Sequence, residues 1–156
     1  MSNIAEGRLG TISIYDNTNP ANMALLKRFA IPNAGFVHNV WPSEDEQLLI
    51  STEETSGKTV KIWDISDLNN INLLGEYLGP NGMAHNAFIL NNKAYLSHYR
   101  SGLRILNLGD PTHPTEIASL QKNVSSSGAW GVYPFFLSGK VIISDIEEGL
   151  FVGLPD

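Results

Sequence analysis

The chain has 156 residues, of which 42% are hydrophobic and 17% charged, and its net charge is −6. That length suits one domain, the composition excludes a disordered chain, and the acidic balance argues against a nucleic-acid partner, which wants a basic surface. With no cysteine there is no disulfide framework, thiolate ligand or cysteine nucleophile. The longest apolar runs, such as "KVIISDIEEGLFV", are broken by charge before they reach membrane-spanning length, so no membrane insertion is expected.

In chain order, "MSNIAEGRLG" has neither a basic start nor an apolar core, and no secretory signal is read in it. "TISIYDN" predicts a strand over Ile12–Tyr15, and the turn residues "NTNPAN" lead to a second over Leu25–Ile31. "PANMALLKRFAI" also fits a short helix, since Met23, Leu26 and Ala30 share a face. Its place in the repeat described next makes it a strand. "FVHNVW", "QLLIS", "VKIWDIS" and "NINLLGEYLG" then predict four strands within residues 35–81. "MAHNAF", "KAYLS", "LRILNLG" and "PTEIASLQ" predict four more within 82–127, a segment that also holds the glycosylation-type triplet Asn123-Val124-Ser125. The last segment, 128–156, predicts strands over Trp130–Phe136, Val141–Ser144 and Leu150–Val152.

These runs repeat. Ile12, Val60, Leu103 and Leu150 head equivalent strands at intervals of 48, 43 and 47 residues, and His38, His85 and Trp130 recur at intervals of 47 and 45. Ser51, Ser97 and Ser144 close a third set of equivalent strands. Four short strands in about 45 residues, repeated, mark the blade of a β-propeller. The expected fold is therefore all-β, built of four-stranded antiparallel blades. About three and a half are present: strands three and four of a first blade in 1–34, two full blades, and an incomplete last one. Closed propellers have roughly four to eight blades. The arc is therefore expected to be completed by a second copy, as a homodimer, or by a missing propeller half.

"AHNAFILNNKAYLSHYRSGLRILNLGDPTHPTEIA" followed by "GAWGVYPFFLSGKVIISDIEEGLFV" resembles the LVIVD-repeat β-propellers, including the choice-of-anchor B group of surface proteins. The resemblance implies a cell-surface or extracellular protein with no established enzymatic activity. "SEDEQLLISTEETSGKTVKIWDIS", with its Trp63-Asp64 pair, is also similar to a WD-repeat blade; only this one blade carries the pair.

In an antiparallel blade the start of the first strand lies beside the end of the second. That places His38 and Asn39 near Glu53, His85 and Asn86 near His98 and Tyr99, and Trp130 near Asp145, all at one rim of the channel. Three readings stay open. Repeated histidines are structural ties within blades, with Asn39 and Asn86 holding turns. Alternatively His38, Glu53, His85, His98 and Asp145 supply imidazole and carboxylate ligands for a divalent metal such as zinc. In the third reading Trp41, Tyr99, Trp130 and Tyr133 offer stacking faces to a glycan or small molecule. Catalysis lacks a motif: Ser97 and His98 are strand neighbours that point to opposite faces. The function expected is a non-enzymatic binding module for protein or glycan, and the alternative is a metal-dependent or carboxylate-based hydrolase at the channel mouth.

Overall fold

The computed structural model describes residues 2–121 and 128–154; the Asn123 triplet lies outside them. Within the described residues the chain forms fourteen strands in four sheets, with a single 3-10 turn at Pro80–Gly82. The first sheet holds β1 (Ser2–Glu6), β2 (Thr11–Asp16) and β3 (Ala24–Ala30). The second holds β4 (Val37–Pro42), β5 (Leu48–Glu53), β6 (Val60–Asp64) and β7 (Asn72–Tyr77). The third holds β8 (Asn86–Leu90), β9 (Lys93–Ser97), β10 (Leu103–Asn107) and β11 (Thr115–Leu120), and the fourth β12 (Ala129–Tyr133), β13 (Val141–Asp145) and β14 (Gly149–Gly153). Every sheet is an antiparallel meander in chain order, and each sheet packs against the next one along the chain. This is an arc of propeller blades, two of them complete. The ambiguous "ALLKRFA" is a strand, paired from Thr11↔Ala30 to Asp16↔Ala24.

One strand escapes the sequence pattern. β1 pairs with β2 from Ser2↔Tyr15 to Glu6↔Thr11, so the first blade has three strands where two are expected. Its sequence, "SNIAE", contains one large apolar residue, too few to show a period of two.

The turns explain why the blades recur so faithfully. At the ends of β2, β6 and β10 an Asx side chain accepts from the backbone two residues on. Asp16 Oδ1 takes the Thr18 N–H at 2.9 Å, Asp64 Oδ1 the Ser66 N–H at 2.9 Å, and Asn107 Oδ1 the Gly109 N–H at 2.9 Å. A second such turn follows at once, from Asn19 to Ala21, Asp67 to Asn69 and Asp110 to Thr112. The pairing of third to fourth strand then slips at one equivalent place in all three blades, after Ile14, Ile62 and Ile105.

Three apolar layers fill the spaces between four blades. Ile12, Ile14, Val40, Leu49 and Trp63 fill the first, Ile50, Ile62, Ala87, Leu96 and Leu106 the second, and Tyr95, Ile105, Val132 and Ile143 the third. β5 is buried on both faces, because alternate residues enter different layers: Leu49 the first and Ile50 the second. Each such aliphatic side chain contributes about 1.5–3 kcal/mol on burial. Polar ties also sit inside. Trp63 Nε1 donates to Ser51 Oγ at 2.9 Å, and the Lys61 ammonium meets Glu53 Oε1 at 2.5 Å.

Candidate functional site

The inner strand of each blade begins with the same spacing: Val37 and Val40, Ala84 and Ala87, Ala129 and Val132 are buried, three residues apart instead of two. In β4 and β12 the cause is a β-bulge. Val37 pairs with Glu53 and Asn39 with Thr52, which leaves His38 unopposed; Ala129 and Gly131 likewise skip Trp130. A bulge re-aims a side chain out of the pleat. His85 reaches the same position just before β8, its N–H donating to Ser97 O at 2.9 Å.

These equivalent residues stack from blade to blade. The His38 and His85 rings lie 4.1 Å apart and tilted by 39°, and the His85 and Trp130 rings lie 4.0 Å apart at 34°. Phe36 extends the column beyond His38 at 6.3 Å. Tyr99 stands edge-on to both His85 and Trp130, at 5.3 and 5.9 Å. At the far end the Trp130 side is 47% exposed, beside a recess of about 380 Å³ lined by Trp130, Ser144, Asp145 and Ile146. A cleft of about 470 Å³ opens at Asn81, Met83, Tyr99 and Arg100.

The middle ring is held tightly. His85 Nδ1 lies 2.6 Å from the Trp130 carbonyl oxygen; a carbonyl only accepts, so Nδ1 carries the proton and Nε2 the lone pair. Nε2 is buried without a partner among the described residues. Burial, together with the neighbouring His38, pushes the pKa of His85 below its ordinary value and keeps the ring neutral. Thr52 of the preceding blade fixes the backbone here, its hydroxyl donating to the His85 carbonyl at 2.6 Å.

Glu54 supplies the charge. Its Oε2 lies 3.3 Å from His38 Nδ1, and its Oε1 accepts the Tyr99 hydroxyl from the next blade. Burial and this contact with Glu54 raise the Tyr99 pKa, so the phenol stays a donor. Tyr99 itself has φ +43°, a left-handed conformation that is costly for a bulky residue. It is pinned by reciprocal hydrogen bonds with Ala129, 3.0 and 2.9 Å long. Gly128 allows that approach: at φ +87°, a Cβ there would come within 2.1 Å of the Tyr99 carbonyl oxygen.

Ligand atoms from His38, Glu54 and His85 all lie within 4.8 Å of one another. Sequence reasoning missed Phe36 and did not place Glu54 in the rim cluster. It named Glu53, which instead is 2% exposed in its ion pair with Lys61 and also accepts the Gly35 N–H. The signal was available: Lys61 interrupts an otherwise apolar strand, and a buried ammonium requires a carboxylate. Adjacent residues cannot both face inward, so Glu54 was left for the rim. His98 is buried elsewhere, edge-on to Tyr77 at 6.5 Å. Asp145 caps its own turn, accepting the N–H groups of Glu147 and Glu148 at 3.0 Å each. Asn39 ties blades together, its Oδ1 accepting the Ala87 N–H at 3.0 Å, and Asn86 Nδ2 reaches Trp130 O at 3.5 Å. Trp41 and Tyr133 belong to a separate aromatic group, where Phe135 lies 5.6 Å from Trp41 and 5.4 Å from Tyr133.

No family model matches the chain, and no curated protein matches it. Among solved structures it resembles a protein of unknown function from Desulfotomaculum acetoxidans DSM 771, with a TM-score of 0.72 and 15% identity over 97% of this chain and 50% of that one. It also resembles a protein from Bacteroides uniformis ATCC 8492 described as "a putative 6-phosphogluconolactonase", with a TM-score of 0.72 and 14% identity over 94% of this chain and 48% of that one. The chain thus spans about half the length of either. At such identities the likeness is one of fold alone, and it runs through nearly the whole arc.

Proposed function

We propose that the chain is a non-enzymatic propeller module that binds its ligand at the inner rim, as part of a surface-displayed protein of the LVIVD-repeat kind. The observation that carries this reading is the column of Phe36, His38, His85 and Trp130, which ends in a half-exposed indole beside an open recess. An exposed aromatic face with polar groups around it suits a ligand with one apolar face and a hydroxylated edge, and a pyranose of a glycan is the simplest such group. Hydrolysis by a pair of carboxylates is less well supported. Glu54 is the one carboxylate in the cluster, Glu53 is held by Lys61, and Asp145 caps its turn.

The test is a glycan array followed by saturation-transfer NMR on any hit, with Trp130→Ala beside the wild type. Binding should weaken at least tenfold in the variant, whose backbone carbonyl still serves His85. No hit, or equal binding by the variant, overturns the reading. Association belongs to the same proposal. Leu150 and Val152 are exposed on the side of β14 opposite Phe151, which packs inward, and the similar solved structures are about twice as long. Sedimentation should show a dimer or larger species; a compact 17.1 kDa monomer at micromolar concentration overturns that part.

A further inference from the structure

We infer that His38, Glu54 and His85 form a binding site for a divalent cation of the zinc class, with further coordination open toward the inner rim. The inference rests on the reading of this rim as the functional face. Two imidazoles and one carboxylate are a donor set that suits zinc and its neighbours, whereas magnesium and calcium prefer oxygen throughout. In a tetrahedral zinc site the ligand atoms stand about 3.4 Å apart, from bond lengths near 2.1 Å. Here they lie within 4.8 Å, so a closure of up to about 1.4 Å assembles the site. His38 and Glu54, whose side chains are 26% and 29% exposed, have the room to make it while buried His85 stays in place.

Two features separate this cluster from a chance meeting of polar residues. The first is His85. Its Nδ1–H is spent on the Trp130 carbonyl, which fixes the tautomer that leaves Nε2 free to ligate. A backbone carbonyl behind a histidine is the usual outer support of a metal ligand. Nε2 is buried and has no partner among the described residues, in a residue only 3% exposed. The second is Glu54. Tyr99, reaching across from the next blade, donates to Oε1 and leaves Oε2 facing His38.

The ligands come from two blades, and their supports, Tyr99 and Trp130, from two. The ion therefore ties three successive blades.

The experiment is titration of the chelator-treated chain with zinc against a chromophoric competitor. The inference expects one zinc per chain at micromolar or tighter affinity, weakened at least tenfold in Glu54→Gln and in His38→Gln. His113→Gln, at an exposed turn histidine paired with Asp110, should leave the affinity unchanged. In nitrogen-15 spectra zinc should shift His85 Nε2 and leave Nδ1 protonated. Equal binding by the wild type, Glu54→Gln and His38→Gln, or no binding at all by a chain with native circular dichroism, overturns the metal site. Glycan binding repeated in chelator separates the two ideas: if it persists with its Trp130 dependence, the binding face stands without the metal.

Discussion

Two histidines of the third blade invite comparison. His85 and His98 are 3% and 1% exposed, and each has one ring nitrogen buried without a partner among the described residues. Burial lowers the pKa of both. Their surroundings differ. His85 lies among His38, Glu54, Tyr99 and Trp130. His98 lies against Gly79, where a Cβ would come within 2.6 Å of its Nε2, and edge-on to the Tyr77 ring. An orphaned nitrogen is therefore not a site by itself. A second and third donor make it one, and without them the ring fills space between blades.

The sharpest test of that contrast is His98→Ala. Emptying a packed pocket should cost about 2–4 kcal/mol in urea unfolding, as other large-to-small core changes do, with zinc affinity intact. A loss of zinc binding there would erase the distinction. His85→Ala should cost less, about 1–3 kcal/mol, because Ser97 Oγ at 2.8 Å still donates to the Trp130 carbonyl. It should abolish zinc binding, and the same titration reads both effects.

Acid provides the third test. The folded pKa values of both rings lie below the ordinary 6.5, so the unfolded chain takes up protons first as pH falls. Their contribution to stability is whole above about pH 6.5 and is lost below it, by at most about 1.4 kcal/mol per pH unit for each ring. Denaturant midpoints measured between pH 7 and 5 should fall, and the fall should be shallower in His98→Ala. The smallest effect belongs to Glu54→Gln. Its partly exposed contacts to His38 and Tyr99 should be worth under about 1 kcal/mol, so its melting curve should nearly overlay the wild type. A large destabilisation would make Glu54 a structural residue like Glu53.

Much of this architecture could be read from the sequence because each blade solves the same problem with the same local chemistry. Asp16, Asp64 and Asn107 cap equivalent turns, and the apolar runs between them are short and turn-bounded. The strand β1 was hidden because pairing with β2, a tertiary event, holds a segment whose own pattern is weak. At the rim, the spacing of His38, His85 and Trp130 correctly foretold equivalent positions. It could not foretell that the rings stack, or which of Glu53 and Glu54 turns inward. That choice is made by Lys61, one strand away, whose charge inside an apolar run is the sign of a buried carboxylate partner.

The three-residue spacing at the start of each inner strand has an evolutionary consequence. Val37 and Val40, Ala84 and Ala87, and Ala129 and Val132 secure the interior, while the residue just after the first of each pair is released from the pleat. One such position holds a partly exposed imidazole, one a buried imidazole and one an indole. Each blade is in effect a cassette whose rim residue can be exchanged without repacking the layer beneath it. Binding specificity can then drift blade by blade while the scaffold stays fixed, so relatives of this arc are expected to differ most at 38, 85 and 130 and least at the buried pairs that flank them.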